Sequence, residues 1–395
     1  MRLVPAAELT SGAQALWRGL AEFALSLKRD IEAEDSDQDL EEIEAQLHQV
    51  WPMADLVRCS HPLLVPHYLA DVVRGFAEQY LPAHTLPQFL LVYEPYSRNW
   101  SVAMNIAERI AQEIEASATV TRDRETAILA SDLRGLVVLG CPAGEEEDGL
   151  LQVALLHELG HLVPRRNPKL AEALPSDLAL EVTDQGLGRA ARWTLEFIAD
   201  VIAVHMAGPA YLWFVSYAVP NQPPSDTHPS TQSRIYACCR AMERFGWTDE
   251  ARAPTEILEE IRKCREHAKA PLGFASAIEG ICDGVAKAFG GGCTPARVFG
   301  DGRPAIHNWP ALQRLLTHTP PLCGEAKTLT DVAANAWIAG WLVLLHKPYQ
   351  DKFLAPFGGG DEYSSSVVGT RRLGCLVAKA LEVAQECTAS GQRAS

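Results

Sequence analysis

With 395 residues, 35 Lys+Arg against 50 Asp+Glu and a formal charge of -15, the chain is long enough for two or three structural units. Its acidic balance repels nucleic acid and anionic membranes, so neither is expected as a partner. Ten cysteines run from Cys59 to Cys387 without a Cys-x-x-Cys pair, which argues against a zinc knuckle or a disulfide scaffold and for reduced core thiols. The opening, Met1 to Glu8, holds no apolar leader, and the expected location is the cytoplasm.

Residues 6–28 carry Leu16, Leu20, Phe23 and Leu27 at helical spacing and lead into an acidic run over 30–44, read as a solvated helix face or linker. A helix is predicted over 66–79, a strand over 88–94, and an amphipathic helix over 101–116 with Ile106, Ile110 and Ile114 four apart. Two further strands are predicted over 126–131 and 135–140. From Gly149 the pattern turns helical through His161 and is expected to stop at Pro164. A polar connection covers 165–188, and a second helix spans 189–207 before Gly208-Pro209. Beyond Ile257 the pattern is mostly helical, interrupted by Gly290-Gly291-Gly292 and Gly358-Gly359-Gly360. Those glycine loops lack a preceding strand and a following Lys-Ser/Thr, so they read as connectors rather than phosphate cradles.

Two apolar stretches raise the question of a membrane. Residues 195–219 include Glu196 and Asp200, costly in lipid, and residues 333–345 are too short to span. Both read as buried helices.

The chemistry concentrates in His157-Glu158-Leu159-Gly160-His161. Histidines four apart lie one turn apart on one helix face, where both imidazoles reach a single metal ion. Glu158 falls beside them, placed to take a proton from an attacking water. Such a pattern arises by chance in about 2% of chains this long, so its surroundings must carry the rest. Here they are apolar, with Val153-Ala154-Leu155-Leu156 before and Leu162-Val163 after, as suits a buried metal-bearing helix. Gly160 between the histidines fits close approach of another backbone.

A metal centre with one open position needs a third ligand. The metzincin extension requires Gly at 164 and His at 167, where this chain has Pro164 and Asn167. Glu196, on the next strongly helical segment, is the best candidate, because Asp200 one turn later lies on the same face and can accept the remaining N–H of a ligand histidine.

Together His157-Glu158-x-x-His161 and Glu196-x-x-x-Asp200, with Ala199 before the aspartate, resemble the gluzincin metallopeptidases, whose third zinc ligand is a glutamate on a second helix. Thr227-His228-Pro229-Ser230 with Arg234-Ile235 is similar to the Thr-His-Pro...Arg-Ile signature of CAAX-prenyl and HtpX-type peptidases and related small bacterial proteases. The resemblance covers residues 126–240. It implies Zn2+ held by His157, His161 and Glu196, Glu158 as general base and Asp200 behind the ligands. Those peptidases are membrane-embedded and this chain lacks convincing spans, so the likeness extends to a soluble catalytic core and not to their membrane substrates. Residues 1–120 and 245–395 lie outside it.

His228 then has two readings: a hydrogen-bond donor to the developing oxyanion, or part of a tight turn before a helix starting near Ser230, with Arg234 paired to a carboxylate. Tyr211, Tyr217 and His205 are expected in the core. The strand over 135–140 either binds an extended substrate along its edge or is a buried central strand.

The expected fold is α+β and zincin-like: a predominantly helical core with a small sheet preceding the motif helix, plus helical N- and C-terminal additions. Its expected divisions are a helical N-terminal region with an acidic linker over 1–86, the catalytic domain over 87–247 and a helical C-terminal domain over 248–395. The expected activity is that of an endopeptidase, zinc-dependent hydrolysis of peptide bonds in a protein or peptide substrate, under regulation because an open cytoplasmic site endangers its host; an activating or regulatory protein is a candidate partner. Two alternatives stand beside it: a regulatory protein that keeps the zinc site and acts by binding, and a small-amide metallohydrolase.

Overall fold

The computed structural model describes residues 67–94, 136–142, 149–175, 188–300, 305–322, 328–357 and 362–389, with Gln14, Trp17, Arg18 and Ala21. The chain divides into two compact units, one comprising residues 1–70 and 85–146, the other 71–84 and 147–395. The helices and strands expected over 101–116 and 126–131, the acidic run over 30–44 and the glycines at 358–360 lie outside the described residues, as does most of the segment 6–28.

In the first unit, β1 (Gln88–Glu94) pairs in parallel with β2 (Leu136–Pro142), Gln88 facing Leu136 and Glu94 facing Pro142. Phe89 and Leu91 are buried, as are their partners Val137 and Leu139, two apart along each strand and so on one face of the pair.

The second unit is helical. The helix α1 (His67–Tyr80) contributes Val72, Val73, Phe76, Ala77 and Tyr80 to its core, an apolar stripe at helical spacing. After a 3-10 turn at Leu151–Ala154, α2 (Leu155–Arg166) carries the histidine motif. It runs through Pro164 rather than stopping there: proline removes only its own N–H, and the Asn167 N–H still closes the last turn on the Val163 carbonyl at 2.9 Å. The connection expected to be irregular begins with a short helix, α3 (Pro168–Ala173), whose cap Asn167 accepts from the Lys169 N–H at 2.9 Å.

The central element is α4 (Arg189–Ala207), buried at every residue from Glu196 onward. Gly208, at φ +59°, turns the chain into α5 (Pro209–Tyr217), so the apolar stretch 195–219 is two helices and not one. Around them follow α6 (Thr231–Arg244), α7 (Thr255–His267), α8 (Ala275–Phe289), the short α9 (Pro295–Phe299) and α10 (Pro310–Leu316), α11 (Leu329–Leu345), α12 (Lys347–Leu354) and α13 (Glu362–Ala389). A capping box joins Thr328 and Asp331 at the start of α11. Among the described residues no single helix is long and apolar enough to cross a membrane; α11 reaches the length only with residues 347–357, across a 91° bend.

Residues 247 and 248, the expected division between catalytic and C-terminal domains, lie inside this unit. Trp247 is fully buried and donates from Nε1 to the Cys293 carbonyl at 2.7 Å. Late helices also hold the start of the motif segment: Trp337 Nε1 donates to the Gly149 carbonyl at 2.7 Å and Trp341 Nε1 to that of Leu150 at 3.3 Å.

Candidate metal centre

The apolar residues flanking the motif, Leu155, Leu156, Leu159 and Val163, are buried, which turns the His157 and His161 face of α2 toward α4. Gly160 lets the helices meet. A Cβ placed there would sit 2.7 Å from the Ala199 carbonyl oxygen and 2.8 Å from its Cα, so a larger residue would push α4 and its Glu196 away.

His157, His161 and Glu196 present ligand atoms within 4.8 Å of one another. The two Nε2 atoms are 3.1 Å apart. Glu196 Oε2 lies 3.3 Å from His157 Nε2, and its Oε1 lies 3.5 Å from His161 Nε2. Tetrahedral coordination with bonds of about 2.0–2.1 Å separates neighbouring ligand atoms by about 3.3 Å, so these spacings fit one ion. Glu196 Oε2 is also buried without a hydrogen-bond partner. A buried carboxylate oxygen beside two imidazoles is compensated by positive charge among them, from a metal ion or a protonated His157. The group can therefore hold a metal ion.

Behind this group lies a buried support. Asp200 Oδ1 is 2.9 Å from His157 Nδ1, an arrangement that orients the ring and directs Nε2 into the cluster. Asp200 is itself clamped: Arg234 donates from Nη2 to Oδ1 at 2.6 Å and from Nε to Oδ2 at 2.9 Å, and the Tyr211 hydroxyl donates to Oδ1 at 2.6 Å. The bidentate fork fixes the carboxylate in plane. Burial opposes its charge, yet the Arg234 guanidinium and His157 hold the Asp200 carboxyl far below the usual carboxylate range. Burial likewise opposes charge on Glu196, and His157, His161 and His228 bring it below its ordinary value. The two ring histidines split. Against burial and Arg234, Asp200 and Glu196 raise His157 to about 9, whereas burial and the neighbouring His157 push His161 down to about 4.

The other side is open. The side chain of Asp200 is 0% exposed, that of His161 28% and that of His228 57%, and Glu158 is exposed with no hydrogen-bonded partner among the described residues. His228 Nε2 stands 3.7 Å from Glu196 Oε1. It rides on a tight turn in which the Ser225 N–H donates to the His228 carbonyl at 2.9 Å, and α4 holds that turn through Arg192 Nε to the Asp226 carbonyl at 2.9 Å and Trp193 Nε1 to that of Ser225 at 3.0 Å. The turn expected at this histidine is present, and it places the His228 ring beside the cluster. Ser230 caps α6 as the sequence predicts, and Arg234 finds its carboxylate in Asp200.

His205 is buried between the Tyr80 hydroxyl, 2.5 Å from its Nδ1, and the Gly290 carbonyl, 2.8 Å from its Nε2. Tyr217, expected in the core, is 47% exposed, because α5 ends there and leaves the packed interior. Tyr211 is buried, but it belongs to the support of the cluster, a role that sequence reasoning missed. On a continuous helix, residues 200 and 211 would lie about 16 Å apart along the axis; the turn at Gly208 folds them together, and Gly208-Pro209 was the available signal. Comparison with known protein families, with characterised proteins and with solved structures finds no match to this chain.

Proposed function

We propose that the chain is a zinc-dependent metallopeptidase acting on peptide bonds of a protein or peptide substrate. The observation that carries the reading is the buried Glu196 carboxylate, whose Oε2 lacks a hydrogen bond and lies beside His157 Nε2 while its Oε1 lies beside His161 Nε2. His157, His161 and Glu196 would hold the ion. When bound, zinc polarises the scissile carbonyl and acidifies water. Asp200, gripped by Arg234 and Tyr211, keeps His157 oriented without leaving its own charge unpaired. Glu158 takes the proton of the attacking water and returns it to the leaving amine, and its exposure gives it access to both. His228, at the rim, donates to the carbonyl oxygen as negative charge develops there.

The likeness of His157-Glu158-x-x-His161, Glu196-x-x-x-Asp200 and the Thr227-His228-Pro229 string to gluzincin peptidases supports this reading. A rival reading has one observation in its favour. His157, raised to about 9, pairs with Glu196 and Asp200 as a cation, so a metal-free ion-pair cluster is self-consistent. Incubation of zinc-loaded protein with a proteome-derived peptide library separates them: cleavage absent in Glu158→Gln is expected from a peptidase, and no cleavage in either protein contradicts it.

A further inference from the structure

A second concavity involves no residue of the metal cluster. It is an open pocket of about 380 Å³ formed where the end of α6, the turn after it, the last turn of α8 and the glycine loop converge. Arg244, Arg252, Lys287, Gly290, Gly291 and Thr294 are among its lining residues. Its volume is near the lower end of small-molecule sites, about 300–1,000 Å³.

Its charge runs against that of the whole chain, whose formal charge is -15. Arg244 is tied to Asp283 by a single hydrogen bond through Nε at 2.6 Å, and Arg252 meets Asp249 through Nε at 3.3 Å. Both therefore keep their terminal guanidinium nitrogens as donors. Lys287 is exposed and has no paired carboxylate among the described residues. Three cations against two carboxylates leave the pocket positive, and guanidinium forks match phosphate oxygens in geometry.

The glycine loop completes the site and is held in shape before any ligand arrives. His205 Nε2 meets the Gly290 carbonyl at 2.8 Å, and the Cys293 N–H donates to the His205 carbonyl at 2.7 Å. Gly292 is pressed onto that histidine so closely that a Cβ would overlap its carbonyl oxygen and ring. Between these anchors Gly291 borders the pocket, and its N–H makes no hydrogen bond among the described residues. An unpaired backbone N–H beside positive charge adds a donor for an anion. Gly290-Gly291-Gly292 lacks the local signature of a phosphate loop; the cations that accompany it are Arg244 and Arg252, far upstream, and Lys287 on the preceding helix.

We infer that this pocket binds a small phosphorylated molecule, with Arg244, Arg252 and Lys287 taking the phosphate oxygens and Gly291 adding a backbone donor. Pyrophosphate is the probe, titrated calorimetrically into the full chain at low ionic strength. Saturable binding at one site is expected. The double variant Lys287→Ala, Arg252→Ala should weaken it at least tenfold, and Lys287→Ala alone, which gives up no ion pair, severalfold. Binding should be unchanged in Lys379→Ala, an exposed cation on α13, and in His161→Ala, which disables the metal cluster. Absence of saturable binding, full retention in the double variant, or an equal loss in Lys379→Ala would overturn the assignment. Loss in His161→Ala would also overturn it, by moving the anion to the metal centre.

Discussion

The two sides of the candidate metal cluster differ in how they are built. On the closed side, Asp200, Tyr211 and Arg234 share four hydrogen bonds within a buried space, and each charge there is compensated. On the open side, Glu158 and His228 contribute little packing and keep their polar atoms near solvent. Residues that orient a ligand must be immobile, whereas residues that handle protons must meet water and substrate. Substitutions on the two sides should therefore fail differently: stability is lost first on one, turnover on the other.

The largest effect is expected at Arg234→Ala, which leaves Asp200 buried with its main counter-charge gone. A loss of about 3–5 kcal/mol in unfolding free energy, read by denaturant titration, is the usual cost of breaking such a pair. A loss under about 1 kcal/mol would mean the clamp is not structural. Across the cluster, His228→Ala should leave the melting temperature within a degree or so while lowering kcat by about 10²–10³, the effect of removing one oxyanion donor. An equal fall in stability and activity would erase the distinction between the sides. Gly160→Ala tests the seam joining them: its Cβ meets backbone that cannot swing aside, so a loss of about 1–3 kcal/mol is expected together with weaker metal binding.

A further effect is one of pH. In the metal-free protein His157 is raised from its ordinary 6.5 to about 9. A histidine whose folded value is raised contributes stability that is fully present below about 6.5 and is lost as pH rises through about 9. Melts of chelator-treated protein should accordingly decline between pH 6.5 and 9. Zinc loading should flatten that decline, since a metal ion in the cluster replaces the proton. A metal-free melt that rises over this window would contradict the assigned His157–Asp200 and His157–Glu196 pairing.

Much of this arrangement was legible in the chain, wherever the deciding forces are local. The bounds of α4 follow from Gly188 before it and Gly208-Pro209 after it, β1 from an unbroken apolar run, and the His157/His161 face from a spacing of four. The close helix approach at Gly160 was also readable, since only a missing side chain allows it. What escaped depends on convergence. Tyr211 reaches Asp200 only because the chain reverses at Gly208, and Pro164 stays helical because the following N–H groups find their carbonyls. The basic pocket draws on three separated segments, so no single window of sequence displays it.

Metal analysis is the most direct test of the central claim. Elemental analysis of protein purified without chelators, then dialysed against zinc, should give about one zinc per chain, and Glu196→Ala and His157→Ala should each lose it. A wild-type chain without zinc, or a Glu196→Ala variant that retains it, would contradict a centre built from His157, His161 and Glu196.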